Sequence, residues 1–79
     1  MQVCVKLFGT LSNQWPDYDH EKGLIIELPE GAIINDLINS LKLGSSRIGM
    51  VCINNQKVNP DDTLIAEAEI SIFQPICGG

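Results

Sequence analysis

Positive charge is scarce in this 79-residue chain: Lys and Arg total five against ten Asp and Glu, a formal net charge of -5. Nucleic-acid binding needs a basic stripe that displaces counterions from phosphates. The sequence has no such stripe, so no nucleic-acid partner is expected. An acidic surface suits a partner with a basic docking face instead. Cysteine is also sparse, at three residues with no CxxC pair. That odd count predicts no disulfide framework and makes a reducing cytoplasm the default compartment. Long apolar runs are absent: nothing approaches the ~20 residues that cross a bilayer, so no membrane span is expected. The opening MQVCVKLF lacks the charged stretch and long apolar run of a secretory signal, and none is expected. Length itself is limiting. A chain of this size makes one domain and buries only ~60% of its unfolded surface, which leaves little room for a deep catalytic pocket. A binding or carrier module, or a subunit that completes a larger enzyme, fits these bounds.

The hydrophobic pattern present divides the chain cleanly. In residues 2–8, Val3, Val5 and Leu7 alternate with Gln2, Cys4, Lys6 and Phe8, a strand period. Residues 9–23 read as a loop, too long for a simple hairpin and suited to contacts. Residues 24–28 predict a second strand, closed by Pro29-Glu30-Gly31. The period then changes: Ile34, Leu37, Ile38 and Leu41 form one stripe of a helix over 34–43. Asp36 near its start and Lys42 near its end suit the helix dipole, and Gly44 offers a stop. Ile33 cannot cap the start as Ser or Thr would. Strands follow at 50–53 and 56–58, turned by Asn54-Asn55, which tolerates positive φ. A turn at Asn59-Pro60-Asp61-Asp62 and a connection over 63–66 lead to a last strand, 69–73. The order β-β-α-β-β-β predicts an α+β fold, with the one helix on one face of a mixed sheet. Val3, Val5, Ile70 and Ile72 should meet Ile34, Leu37, Ile38 and Leu41 in the core.

The candidate functional residues gather at the end of the chain, FQPICGG. The division expected is a domain over 1–74 and an extended tail over 75–79. Pro75 fixes φ and stiffens the tail's root. Gly78 and Gly79 carry no Cβ, so their backbone can enter a narrow channel and take dihedrals forbidden to other residues. Six residues beyond Phe73, fully extended, span roughly 20 Å. Phe8 and Phe73 alternate away from the core face. If the first and last strands are neighbours, the two rings form an apolar patch, either a docking surface or ordinary exposed hydrophobes. Cys77 is read as an incidental small residue, with a reactive thiol as the alternative. Cys4 and Cys52 lie in strands and read as structural. His20 stands among Asp17, Asp19 and Glu21. A metal site is one reading, and a solvated acidic loop is the favoured one. Trp15 and Tyr18 in the same loop either cover a core edge or touch a partner.

The segments VKLFGTL at 5–11, INNQKV, PDDTL and above all the ending FQPICGG carry a resemblance over essentially the whole chain. The sequence resembles the ubiquitin-like β-grasp proteins. More narrowly it is similar to the MoaD/ThiS sulfur-carrier family, which contains the small subunit of molybdopterin synthase and the thiamine-pathway sulfur carrier. Gly-Gly alone is a weak motif; Gly-Gly just beyond the last strand of this pattern is a strong one. Two departures stand out: Gln74 replaces one of a common pair of prolines, and Cys77 stands where a small or hydroxyl residue is more usual.

The resemblance implies a carrier with no catalysis of its own and no permanently bound cofactor or metal. A ubiquitin-activating-enzyme-like adenylyltransferase would use ATP to activate the carboxylate of Gly79, with Gly78 beside it. A sulfur donor of the cysteine desulfurase or rhodanese type would convert it to a thiocarboxylate. The large subunit of molybdopterin synthase would be the docking partner, with Phe8, Phe73, Pro75 and Ile76 at the contact. The alternatives are delivery to thiamine, tRNA or tungsten-cofactor pathways, or a non-catalytic ubiquitin-like modifier or interaction module.

Overall fold

The computed structural model describes residues 1–75, Ser45 through its backbone alone. The expectations for Ile76, Cys77, Gly78 and Gly79 lie outside the described residues. Five strands and one α-helix appear in the predicted order: β1 (Gln2–Leu7), β2 (Leu24–Glu27), α1 (Ile34–Ser40), β3 (Met50–Ile53), β4 (Gln56–Val58) and β5 (Glu69–Phe73). They form one sheet in the order β2-β1-β5-β3-β4. β1 and β5 run parallel at its centre, and the other three pairings are antiparallel. Asn54 and Asn55, at φ 48° and 72°, make the two-residue turn between β3 and β4.

Alternation sets the core. Val3, Val5 and Leu7 of β1 and Ile70 and Ile72 of β5 are buried on one sheet face together with Ile34, Leu37, Ile38 and Leu41, as the pattern predicts. Each of those side chains, fully buried, is worth roughly 1.5–3 kcal/mol. The register Val5↔Ile70 and Leu7↔Ile72 places the most buried residues side by side beneath the helix. The segment predicted as loop contains a 3₁₀ helix, Gly9–Gln14, anchored by buried Leu11. One apolar residue within GTLSNQ carries no period, so this short element has no signature in the residues alone.

The helix is shorter than the predicted 34–43, and its ends show why. At the start, the Asp36 carboxylate accepts the Ile33 N–H at 2.9 Å. The next two helix amides donate to the carbonyls of Asp62 and Pro60 at 2.9 Å each. The turn from Asn59 to Asp62 thus supplies the acceptors that Ile33 cannot. At the other end the helix stops at Ser40, and Lys42 takes φ 59° two residues before the glycine expected to do so. Leu43 N–H donates to the Ile38 carbonyl at 3.3 Å and Lys42 N–H to the Asn39 carbonyl at 3.1 Å, the paired bonds of a Schellman motif. Leu43, just past the turn, is buried in the core. Its burial offsets a left-handed lysine that costs about 1 kcal/mol.

Asp36→Ala is expected to lower stability by about 1 kcal/mol in urea unfolding, through loss of the cap and of the favourable dipole contact. Asp36→Asn should recover most of the difference, because the acceptor oxygen is retained.

Candidate docking face and tail root

With α1 on one sheet face, the opposite face carries the alternate residues of each strand. Cys4 and Lys6 of β1 stand with Ser71 of β5 and Cys52 of β3, and Lys6 Nζ lies 3.6 Å from a Glu69 carboxylate oxygen. Phe8 follows directly on β1, and its N–H donates to the Ile72 carbonyl at 2.9 Å, so the ladder continues past Leu7. That bond sets Phe8 beside Phe73. The two rings stack with centroids 4.5 Å apart and an interplanar angle of 18°, an attractive offset geometry for aromatic pairs. Both are half-buried, so the patch is a stacked pair and not two free rings. The register adds Met50, opposite Phe73 and 38% exposed, which the residue pattern alone does not place on this face. Met50 shares the parity of Cys52 on β3, a signal usable only once β3 is known to pair with β5. Ile25, opposite Cys4 and 57% exposed, lies on the same face at the β2 edge, beyond the Lys6–Glu69 ion pair.

The loop behind β1 resolves the reading of its aromatics. β2 pairs with β1 only as far as Val5↔Leu24, which leaves the Leu7 N–H without a strand neighbour on that side. The Tyr18 hydroxyl accepts that N–H at 2.8 Å. Tyr18 and Trp15 both pack against the core cluster, so they cover a core edge. His20 Nδ1 lies 3.0 Å from the Tyr18 hydroxyl, and the His20 ring meets Phe8 edge-on at 4.7 Å. His20 therefore belongs to the aromatic cluster. Among the described residues no group of His, Cys, Asp and Glu could hold a metal ion. Cys52 is buried, and Cys4 is half-buried with its thiol donating to the Lys22 carbonyl at 3.4 Å.

Beyond Phe73 the chain passes between two glycines. Gly49 N–H donates to the Phe73 carbonyl at 2.7 Å, and a Cβ on Gly49 would come within 2.7 Å of the Gln74 carbonyl oxygen and Pro75 Cα. On the other side Gly9, at φ 73°, faces the Gln74 side chain, and a Cβ there would lie 2.4 Å from Gln74 Cδ. At Gly49 the backbone of Gln74 and Pro75 comes too close for any Cβ, and at Gly9 the positive φ is what favours glycine. Pro75 is exposed beyond them. Of the sequence-predicted contact residues, Phe8, Phe73 and Pro75 thus lie at one end of the sheet, while Ile76, Gly78 and Gly79 fall outside the described residues.

A ubiquitin-like β-grasp domain is defined by this topology, and the comparisons with known proteins agree. The chain belongs to the ThiS family, whose model matches residues 5–79. Among solved structures it is similar to a Pyrococcus furiosus chain provisionally described as molybdopterin converting factor, subunit 1. That pair has a TM-score of 0.77 and 24% identity over 96% of this chain and 99% of the other. It is also similar to SAMP1 from Haloferax volcanii, with a TM-score of 0.73 and 19% identity over 100% of both chains. A second structure, of the H. volcanii small archaeal modifier protein 1, gives 0.75 and 17% over 95% and 98%. No curated protein matches the chain. No helix among the described residues is long and apolar enough to cross a membrane.

Tyr18→Phe should destabilise the fold by about 1–3 kcal/mol, the cost of a shielded N–H left without its acceptor. Urea unfolding measures the loss, and the Leu7 amide should be the one whose hydrogen exchange accelerates most among those of β1.

Proposed function

We propose that this protein is a cytoplasmic sulfur carrier that serves molybdopterin synthesis as the small subunit of a sulfur-transferring synthase. The observation that carries the reading is the match to the ThiS family through residue 79, on a domain whose last strand leads to the chain's end beside a stacked aromatic pair. The provisional description of the Pyrococcus furiosus relative supports the molybdopterin acceptor over the thiamine, tRNA and tungsten-cofactor alternatives.

The chemistry assigns little to the carrier itself. A carboxylate is a poor electrophile. A ubiquitin-activating-enzyme-like adenylyltransferase would join the Gly79 carboxylate to the AMP moiety of ATP and release pyrophosphate. A persulfide sulfur from a cysteine desulfurase or rhodanese-type donor would then attack the acyl carbon and expel AMP. A second thiol would cleave the resulting acyl disulfide, forming a disulfide of its own and leaving the thiocarboxylate. On the large subunit of the synthase, that sulfur passes to the pterin precursor and water restores the carboxylate. The carrier presents a positioned acyl group; its partners supply orientation and electrostatic stabilisation. Phe8, Phe73 and Met50 form the docking face, with Pro75 and Ile76 leading toward the partner's active site.

The similarity to SAMP1, a small archaeal modifier protein, favours one second reading, in which the same activated glycine is joined to lysines of other proteins. Intact mass spectrometry after incubation with ATP, the activating enzyme and a sulfur source separates the two. A carrier gains the mass difference of one oxygen-to-sulfur exchange, and a modifier appears in higher-mass isopeptide conjugates. Absence of both products would overturn both readings.

Deleting Gly79, or Gly78→Val, should abolish sulfur transfer in a single-turnover assay and leave the melting temperature unchanged. Loss of one residue withdraws the acyl group by ~3.5 Å, where a ~1 Å misplacement already costs ~100-fold in rate. Full activity of the truncated protein would contradict the carrier reading. Phe73→Glu should keep the fold and weaken binding to the large subunit on the order of thirtyfold, the ~2 kcal/mol typical of a hot-spot aromatic. Unchanged affinity in titration calorimetry would remove Phe73 from the docking face.

A further inference from the structure

The root of the tail is fastened by a side chain as well as by the sheet. Gln74 is the first residue past β5, and its Oε1 accepts two hydrogen bonds from Thr10: the backbone N–H at 2.6 Å and the hydroxyl at 2.8 Å. Gln74 is half-buried although it has left the sheet. Its side-chain amide lies directly over Gly9, where a Cβ would come within 2.4 Å of both Cδ and Oε1. Its backbone carbonyl is held against Gly49 from the opposite side. Thr10 lies in the 3₁₀ helix Gly9–Gln14, which buried Leu11 fixes to the core. Gln74 is therefore tied to the body of the domain at a point that β-ladder pairing no longer reaches.

We propose that Gln74 is a positioning residue: its clasp on Thr10, closed over Gly9 and Gly49, fixes the direction in which the tail leaves the domain. This role rests on the carrier reading above. A tail that pivots at residue 74 samples a cone of directions, and its tip meets the activating enzyme's catalytic groups in a smaller fraction of encounters. A clasped root removes that freedom before the partner is met, so less conformational entropy is lost on the way to the adenylated state. Docking through Phe8 and Phe73 is a separate matter, because the Gln74 Oε1 bonds go to Thr10 and to neither ring. The clasp should therefore act on turnover and leave recognition alone.

The test is ATP–pyrophosphate exchange by the cognate adenylyltransferase with the full-length carrier, giving kcat and KM for Gln74→Ala and Gln74→Glu. Exchange at the Thr10 amide is read in parallel. In Gln74→Ala, kcat is expected to fall on the order of tenfold, the equivalent of freeing one residue's backbone. KM should hold, and the melting temperature should move by no more than about 3 °C. The Thr10 amide should exchange faster. Gln74→Glu keeps acceptor oxygens of the same reach and should restore both kcat and Thr10 protection. Wild-type kcat in Gln74→Ala, a loss confined to KM, or a Gln74→Glu variant as impaired as Gln74→Ala would each overturn the proposal and leave the carrier reading standing. A wild-type protein that the adenylyltransferase never activates would overturn the carrier reading, and this role with it.

Discussion

The parallel pairing of β1 with β5 is the constraint on which the rest of the molecule depends. It brings the first and last strands together at the centre of the sheet, with everything between them serving as the crossover. Parallel neighbours need such a long connection, and here β2, α1, β3 and β4 provide it. One register of this pairing buries Val5 beside Ile70 and Leu7 beside Ile72 under the helix. A slip of one residue would turn that apolar set to the opposite face, so the core fixes the register. The same register places Phe8 against Phe73 and Thr10 against Gln74. The core and the aromatic end of the sheet therefore follow from one pairing.

The two faces of a small sheet cannot serve the same end. The helix covers one, and the apolar stripe of α1 together with β1 and β5 makes the single core that a chain of this length can support. The other face carries an aromatic pair and a methionine at the end of β5, and an ion pair between β1 and β5. No enclosed site is needed on either face if the chemistry belongs to partners, as the proposed carrier role requires. In that role the domain would contribute a fixed setting for the residues after β5, and several contacts gather there and along β1. Gly49 admits close backbone approach, a glutamine spans to a threonine, and a tyrosine hydroxyl finishes a ladder that β2 leaves short.

Much of this was legible in the residues. Period-two alternation in VCVKLF and EISIF and the i, i+3, i+4, i+7 stripe from Ile34 to Leu41 report burial directly, because each side chain's face follows from its own position in the element. Asn54-Asn55 announced its turn for an equally local reason, tolerance of positive φ. Where the residues alone do not indicate the structure, the deciding contact lies far along the chain. The helix start depends on carbonyls of Pro60 and Asp62, and its end on Leu43 reaching the core through a left-handed Lys42. Tyr18 gained its role only because β2 begins at Leu24, opposite Val5, and leaves Leu7 unpaired on that side. Met50 joined the aromatic pair only through the β3–β5 register. Gln74 looked like a substitution for a stiffening proline, and nothing local indicates that its amide would reach Thr10, 64 residues earlier. By itself the sequence determined which residues prefer strand, helix or turn and which faces are apolar, since these are properties of neighbours in the chain. Tertiary structure alone decided which segments became neighbours in space, and with that the Phe8–Phe73 stack and the Gln74–Thr10 bonds, because a contact between distant residues exists only once the core has set both ends in place.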